Sequence, residues 1–165
     1  MSYSLCMKCG LCCAGALFDY GELDEDEVGA ARAVGLDVFE RSTGSAFRIA
    51  CSRLEGSCCS IYGARPRTCR KFRCKLLRNV EAGEVTIDAA SEKVAEVWVL
   101  IDKIILALTD GETLNDARWR WRQSTPGRWT GNPAAAQFHL DMTLLNLVLD
   151  RYFRLKEHWV MINDA

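Results

Sequence analysis

At 165 residues, with 49% hydrophobic and 26% charged side chains, the chain has the size and composition of one ordinary globular domain and is short for two. Its formal net charge of -1 excludes a global electrostatic pull toward nucleic acid or an anionic membrane. The longest apolar stretch, MTLLNLVL at Met142 to Leu149, falls far short of the ~20 residues a membrane-spanning helix needs.

The chain opens with CMKCGLCC, four cysteines between Cys6 and Cys13. GELDEDEVGAARAVGL, from Gly21 to Leu36, then predicts a short helix: Asp24 and Glu27 have the spacing of a capping box, and Gly35 is a plausible stop. AFRIACSRLEGSCCSIY, from Ala46 to Tyr62, predicts two short strands around a turn at Glu55, Gly56 and Ser57, flanked by Cys51 on one side and Cys58 and Cys59 on the other. ARPRTCRKFRCKLLRNVEAG reads as a short basic helix with Pro66 in its first turn.

The second part of the chain holds all five tryptophans and no cysteine. Between Asp88 and Gly111, Val94, Val97, Trp98, Ile101, Ile104, Ile105 and Leu108 recur at three- and four-residue spacing, the mark of one buried helical stripe. Residues 112–131 read as an irregular connection. Asn132 and Pro133 then cap and open a long helix, apolar around much of its girth and so expected to be buried on more than one side. The expected fold is mainly α with a small β-hairpin: a cysteine-rich, metal-binding half over residues 1–80, packed on two antiparallel C-terminal helices in residues 81–165, the two halves forming a single compact domain.

No basic segment followed by an apolar one opens the chain, which favours a cytoplasmic address, where thiols stay reduced. Nine cysteines is an odd number for a closed disulfide framework, and reduced thiols at CxxC spacing point to a soft metal. Cys6, Cys9 and Cys12 form the CxxCxxC run with which bacterial ferredoxins hold three corners of a [4Fe–4S] cluster. Neighbours such as Cys12 and Cys13 project differently. They are expected to serve different sites or one site larger than a single ion, while Cys69 and Cys74, about 140° apart on a continuous helix, either feed two sites or have Cys69 in the turn before the helix. Cys6, Cys9, Cys12, Cys13, Cys51, Cys59, Cys69 and Cys74 thus suffice for two four-thiolate sites, with Cys58 left over and exchangeable with Cys59 in that count. Zinc and an iron-sulfur cluster both suit such a set.

CMKCGLCC followed by Cys51 and by Cys59, Ile61, Tyr62, Arg65, Pro66, Cys69, Arg70, Phe72 and Cys74 resembles the CxxCxxCC cysteine-cluster family, the YkgJ-type zinc- or iron-chelating domain. The resemblance covers roughly the first half of the chain and implies metal chelation by the cysteines. Flagellin lysine N-methylase carries a similar cluster, which makes a cluster-dependent modifying enzyme the alternative to a metal-binding protein with a structural, redox or sensing role. The chain has no GxGxxG-like loop for a nucleotide-type cofactor.

Seven Lys or Arg and no acid lie between Arg65 and Arg78. Arg65 and Arg70 are expected to offset thiolate charge at the metal, and a nucleic-acid surface is disfavoured because the rest of the chain is not basic. The expected partners are metal ions, with a protein partner compatible and no membrane. In DARWRWRQ, Asp116 to Gln123, Trp119 and Trp121 are expected to cap the helical core with the arginines from Arg118 to Arg122 solvated between them. His139 and His158, far from the cysteines in sequence, are not expected to be ligands.

Overall fold

The computed structural model describes residues 3–124 and 132–155. Seven α-helices and five short strands are found among the described residues. A short helix, α1 (Tyr3–Cys9), is followed by β1 (Tyr20–Glu22), α2 (Val28–Ala33), and the hairpin β2 (Val38–Arg41) and β3 (Gly44–Arg48). β3 pairs antiparallel with both β1 and β2, giving a three-stranded sheet. A second, two-stranded ribbon joins β4 (Leu54–Glu55) to β5 (Cys58–Cys59) across Gly56, whose φ of +60° suits glycine in the tight turn.

The expected ribbon around Gly56 is present, but Ala46 to Arg48 belong to the three-stranded sheet instead. The helix expected over Gly21 to Leu36 is reduced to α2. Gly21 lies in β1, where the ring of Phe47 crosses it and a side chain would collide. Asp24 makes no side-chain cap, and its carboxylate pairs with Arg67 at 2.7 Å. Gly35 does end the segment, at φ +79°.

The expected basic helix is broken into α3 (Arg67–Lys71) and α4 (Lys75–Glu81). The break has a tertiary cause. The amide of Lys75 donates to the carbonyl of Phe153 at 2.9 Å, and Cys74 takes an extended conformation as the N-cap of α4.

α5 (Ile87–Leu106) buries Val94, Val97, Ile101 and Ile104 as the stripe requires, whereas Ile105 is 47% exposed. Residues 112–131 are not wholly irregular: α6 (Leu114–Gln123) opens with a capping box between Thr113 and Asp116. α7 (Pro133–Tyr152) begins at the Asn132 cap and buries one face, through Met142, Leu145 and Leu149. The expectation of burial on more than one side is corrected by Leu140 and Leu147, 65% and 62% exposed on the opposite face. α7 ends at Tyr152, and Trp159 lies outside the described residues.

The main core joins Leu5, Leu11 and Leu77 to Ile101, Leu145 and Leu149, and α5 packs against α1, α4, α6 and α7. A smaller core of Leu23, Ala31, Leu36 and Phe47 lies under the sheet, with Cys51 and Cys69 packed against it. No described helix is long and apolar enough to cross a membrane.

Candidate metal centre

Cys6 and Cys9 stand three residues apart on α1 and so share one helix face. Gly10 ends α1 at φ +64°, where a Cβ would stand 2.6 Å from the carbonyl oxygen of Ser57. Glycine is therefore required twice over at this step of CMKCGLCC, by its backbone angle and by the approach of the hairpin turn. Residues 10–16 then fold into consecutive turns, with Ala14 donating to Gly10 at 2.9 Å and Ala16 to Leu11 at 3.1 Å, and Cys12 and Cys13 project from them.

The other cysteines come to this loop from three directions. The amide of Cys51 donates to the carbonyl of Cys13 at 2.7 Å. Cys58 and Cys59 are consecutive in a strand and point to opposite faces: Cys58 is exposed and Cys59 faces inward. Of the two, Cys59 is the one turned toward the other cysteines. Cys69 is carried by α3, and the sulfur of Cys74 accepts from the amide of Leu77 at 3.4 Å at the start of α4.

Cys6, Cys9, Cys12, Cys13, Cys51, Cys59, Cys69 and Cys74 all line one cavity of about 370 Å³, and Cys58 does not. The rest of the wall is largely apolar and includes Phe18, Phe47, Phe72 and Leu76. As the side chains stand, no three or more described cysteine, histidine or carboxylate groups are gathered closely enough to hold one ion. The thiols share a chamber without forming a closed ligand shell.

The chamber disfavours free thiolates. Burial pushes the Cys9 and Cys69 thiols up to about 12, and it also raises Cys12, Cys59 and Cys74. Cys13 and Cys51 share a hydrogen bond that raises Cys13, the donor, and lowers Cys51 to about 6. A cation entering here would displace protons and meet soft sulfur donors, the chemistry that selects zinc or iron over hard cations.

Arg65 lies beside the thiols: its guanidinium stacks 3.4 Å over the Tyr62 ring, with Nη1 3.9 Å from the Cys6 sulfur. Arg70 pairs instead with Glu27 at 3.8 Å. Arg67 pairs with Asp24, Asp26 and Glu27, so two residues of the basic run, Arg67 and Arg70, are matched by the acidic residues at 24–27. His139 interacts with Ser124 and lies 6.1 Å from the Trp121 ring, away from the cysteines, and His158 lies outside the described residues.

DARWRWRQ behaves differently from the expectation. Leu114, Arg118 and Trp121 share the inward face of α6, while Trp119 is 62% exposed. Arg118 is 1% exposed and buried rather than solvated. Its Nη1 donates to the carbonyls of Gly15 at 2.7 Å and Phe18 at 3.3 Å and pairs with Asp19 at 2.8 Å. Trp98 donates to the carbonyl of Cys9 at 2.8 Å, and Arg154 to that of Ala16 at 3.1 Å. Sequence reasoning passed over all three as contacts of the cysteine loop, because nothing local connects them to it.

The family model CxxCxxCC, described as a "putative zinc- or iron-chelating domain", matches residues 5–94. The chain belongs to this family. The match contains all nine cysteines, and the zinc-or-iron chemistry of the family agrees with the thiol-lined chamber. No curated protein and no solved structure matches the chain.

Proposed function

We propose that this CxxCxxCC protein is a metal-binding module in which Cys6, Cys9, Cys12, Cys13, Cys51, Cys59, Cys69 and Cys74 ligate zinc or an iron-sulfur cluster, with the metal organising the cysteine-rich half. The observation that carries this reading is the sharing of one apolar chamber by eight cysteines drawn from α1, its following loop, the segment before the ribbon, the ribbon, α3 and the N-cap of α4. The donor set fits: thiolates are the usual ligands of structural zinc and of iron-sulfur clusters.

The thiols influence one another unevenly, with links inside two sets and weaker ones between them. Cys9 is affected by Cys74 and Cys6, and Cys12 by Cys74, Cys9 and Cys6 ahead of Cys69. Cys13 is affected first by Cys51, and Cys59 and Cys69 are each affected by Cys51 before any other thiol. This supports one centre on Cys6, Cys9, Cys12 and Cys74 and a second on Cys13, Cys51, Cys59 and Cys69. Cys12 and Cys13 then serve different centres, as do Cys69 and Cys74.

Anaerobic purification followed by counting zinc, iron and acid-labile sulfide per chain tests the reading. A colourless protein with zinc, or a brown one with iron and sulfide near parity, is expected. A metal-free protein that stays folded under reducing conditions would refute it.

A further inference from the structure

Four side chains beyond the family match reach back to the backbone around the first cysteines. Trp98 on α5 holds the Cys9 carbonyl at 2.8 Å. Asn115 on α6 donates to the carbonyls of Asp19, at 3.4 Å, and Ile49. Arg118 holds those of Gly15 and Phe18, and Arg154 holds that of Ala16. The approach is tight: at Gly15, φ +86°, any Cβ would collide with the Asn115 side chain.

Stability alone is a poor reason for this arrangement. Arg118 Nε and Nη2 and Arg154 Nε are buried without a hydrogen-bond partner among the described residues. Burial depresses Arg118 to about 10, although Asp19 opposes the shift. A buried guanidinium with unspent donors costs free energy that an apolar side chain of similar volume would not. What the guanidinium offers instead is directional contact, because its planar fork fixes the carbonyls and carboxylate it meets.

We propose that Trp98, Arg118 and Arg154 are positioning residues that clamp residues 9–19 and thereby hold Cys9, Cys12 and Cys13 in ligating register. The inference rests on the metal-binding reading above. Outer-shell partners of metal ligands act in this way, fixing donor orientation without touching the ion.

The test uses the full chain as purified anaerobically and follows loss of zinc or iron to excess chromogenic chelator. Trp98→Phe keeps the ring and removes the donor, Arg118→Lys keeps the charge and loses the fork, and Arg118→Met loses both. Arg118→Met should release metal about tenfold faster than wild type or more, with Arg118→Lys between them and Trp98→Phe also faster. Leu145→Ala, which opens the core that Leu11 and Leu17 also join but removes none of these hydrogen bonds, is the control for general destabilisation. If Leu145→Ala releases metal as fast as the clamp variants, or if the folded clamp variants release it at the wild-type rate, the clamp is refuted. Should Arg118→Met fail to fold, Trp98→Phe and Arg118→Lys decide by the same comparison. A wild-type protein that holds no metal overturns both readings, whereas one that holds metal and loses it only on Cys9→Ser overturns the clamp alone.

Discussion

Cys13 and Cys51 meet twice, through the backbone bond from the Cys51 amide to the Cys13 carbonyl at 2.7 Å and through the hydrogen bond between their thiols. The lone cysteine of the middle segment is thereby tied to the last cysteine of the opening cluster. Cys59 comes to the same place by strand alternation, which sends its neighbour Cys58 outward. Cys58→Ser should therefore leave the metal content per chain unchanged, while Cys59→Ser should lower it. Equal metal loss from both variants, read by elemental analysis, would contradict the assignment of Cys59 to the chamber.

Gly10→Ala should be far more damaging than its size suggests. The residue sits at φ +64° and faces the Ser57 carbonyl, so a methyl group adds a backbone cost of about 1 to 2 kcal/mol to a direct clash. The turn carrying Ser57 must then move, and with it the ribbon bearing Cys59. Reduced metal content together with a lower urea midpoint is expected, and a Gly10→Ala protein with wild-type values of both would show that the loop and ribbon are not in close register.

Thr113→Ala should destabilise the protein by about 1 kcal/mol, the usual cost of losing a helix N-cap. Asp116 completes the capping box, and its hydrogen bonds with the Thr113 hydroxyl and amide hold its carboxyl below the usual range. A carboxyl depressed in the folded state contributes stability that is complete above its ordinary value of about 3.9 and is lost as pH falls through the lower folded value. The Thr113→Ala variant should therefore lose less stability on acidification across that window than wild type, as followed by chemical denaturation. Parallel pH profiles would show that the box contributes nothing.

Stripping the metal should lower the melting temperature. A ligand held at 100 times its Kd stabilises the folded state by about 2.7 kcal/mol, equivalent to roughly 5 to 10 °C for a chain of this length. Calorimetry before and after chelation, under reducing conditions, measures it. An unchanged melting temperature in a protein that demonstrably lost its metal would separate metal binding from the organisation of the fold.

Legibility in the sequence followed the range of the interactions involved. The cysteine spacing and the α5 stripe were readable because both are local patterns. Thr113 and Asp116 carried a readable capping signal that the Arg and Trp residues after them obscured. The break between α3 and α4 could not be read, since it depends on the Phe153 carbonyl taking the Lys75 amide. Nor could β1, whose Gly21 is explained by the ring of Phe47 lying across it. Arg118 misled for a general reason: arginine is almost never buried without partners, and its partners lie about a hundred residues upstream.

The reach of Arg154 back to Ala16 sets an order of events during synthesis. The two residues are 138 positions apart, and a ribosome adding about 5 to 20 residues per second separates them by roughly 7 to 28 s. Once Cys74 has been added, 80 positions before Arg154, every cysteine has been made while the segment bearing Cys9, Cys12 and Cys13 still lacks its last hydrogen-bond donor. The nascent chain thus passes through a period in which its sulfurs are complete and unfastened, and α7 closes that period when it folds.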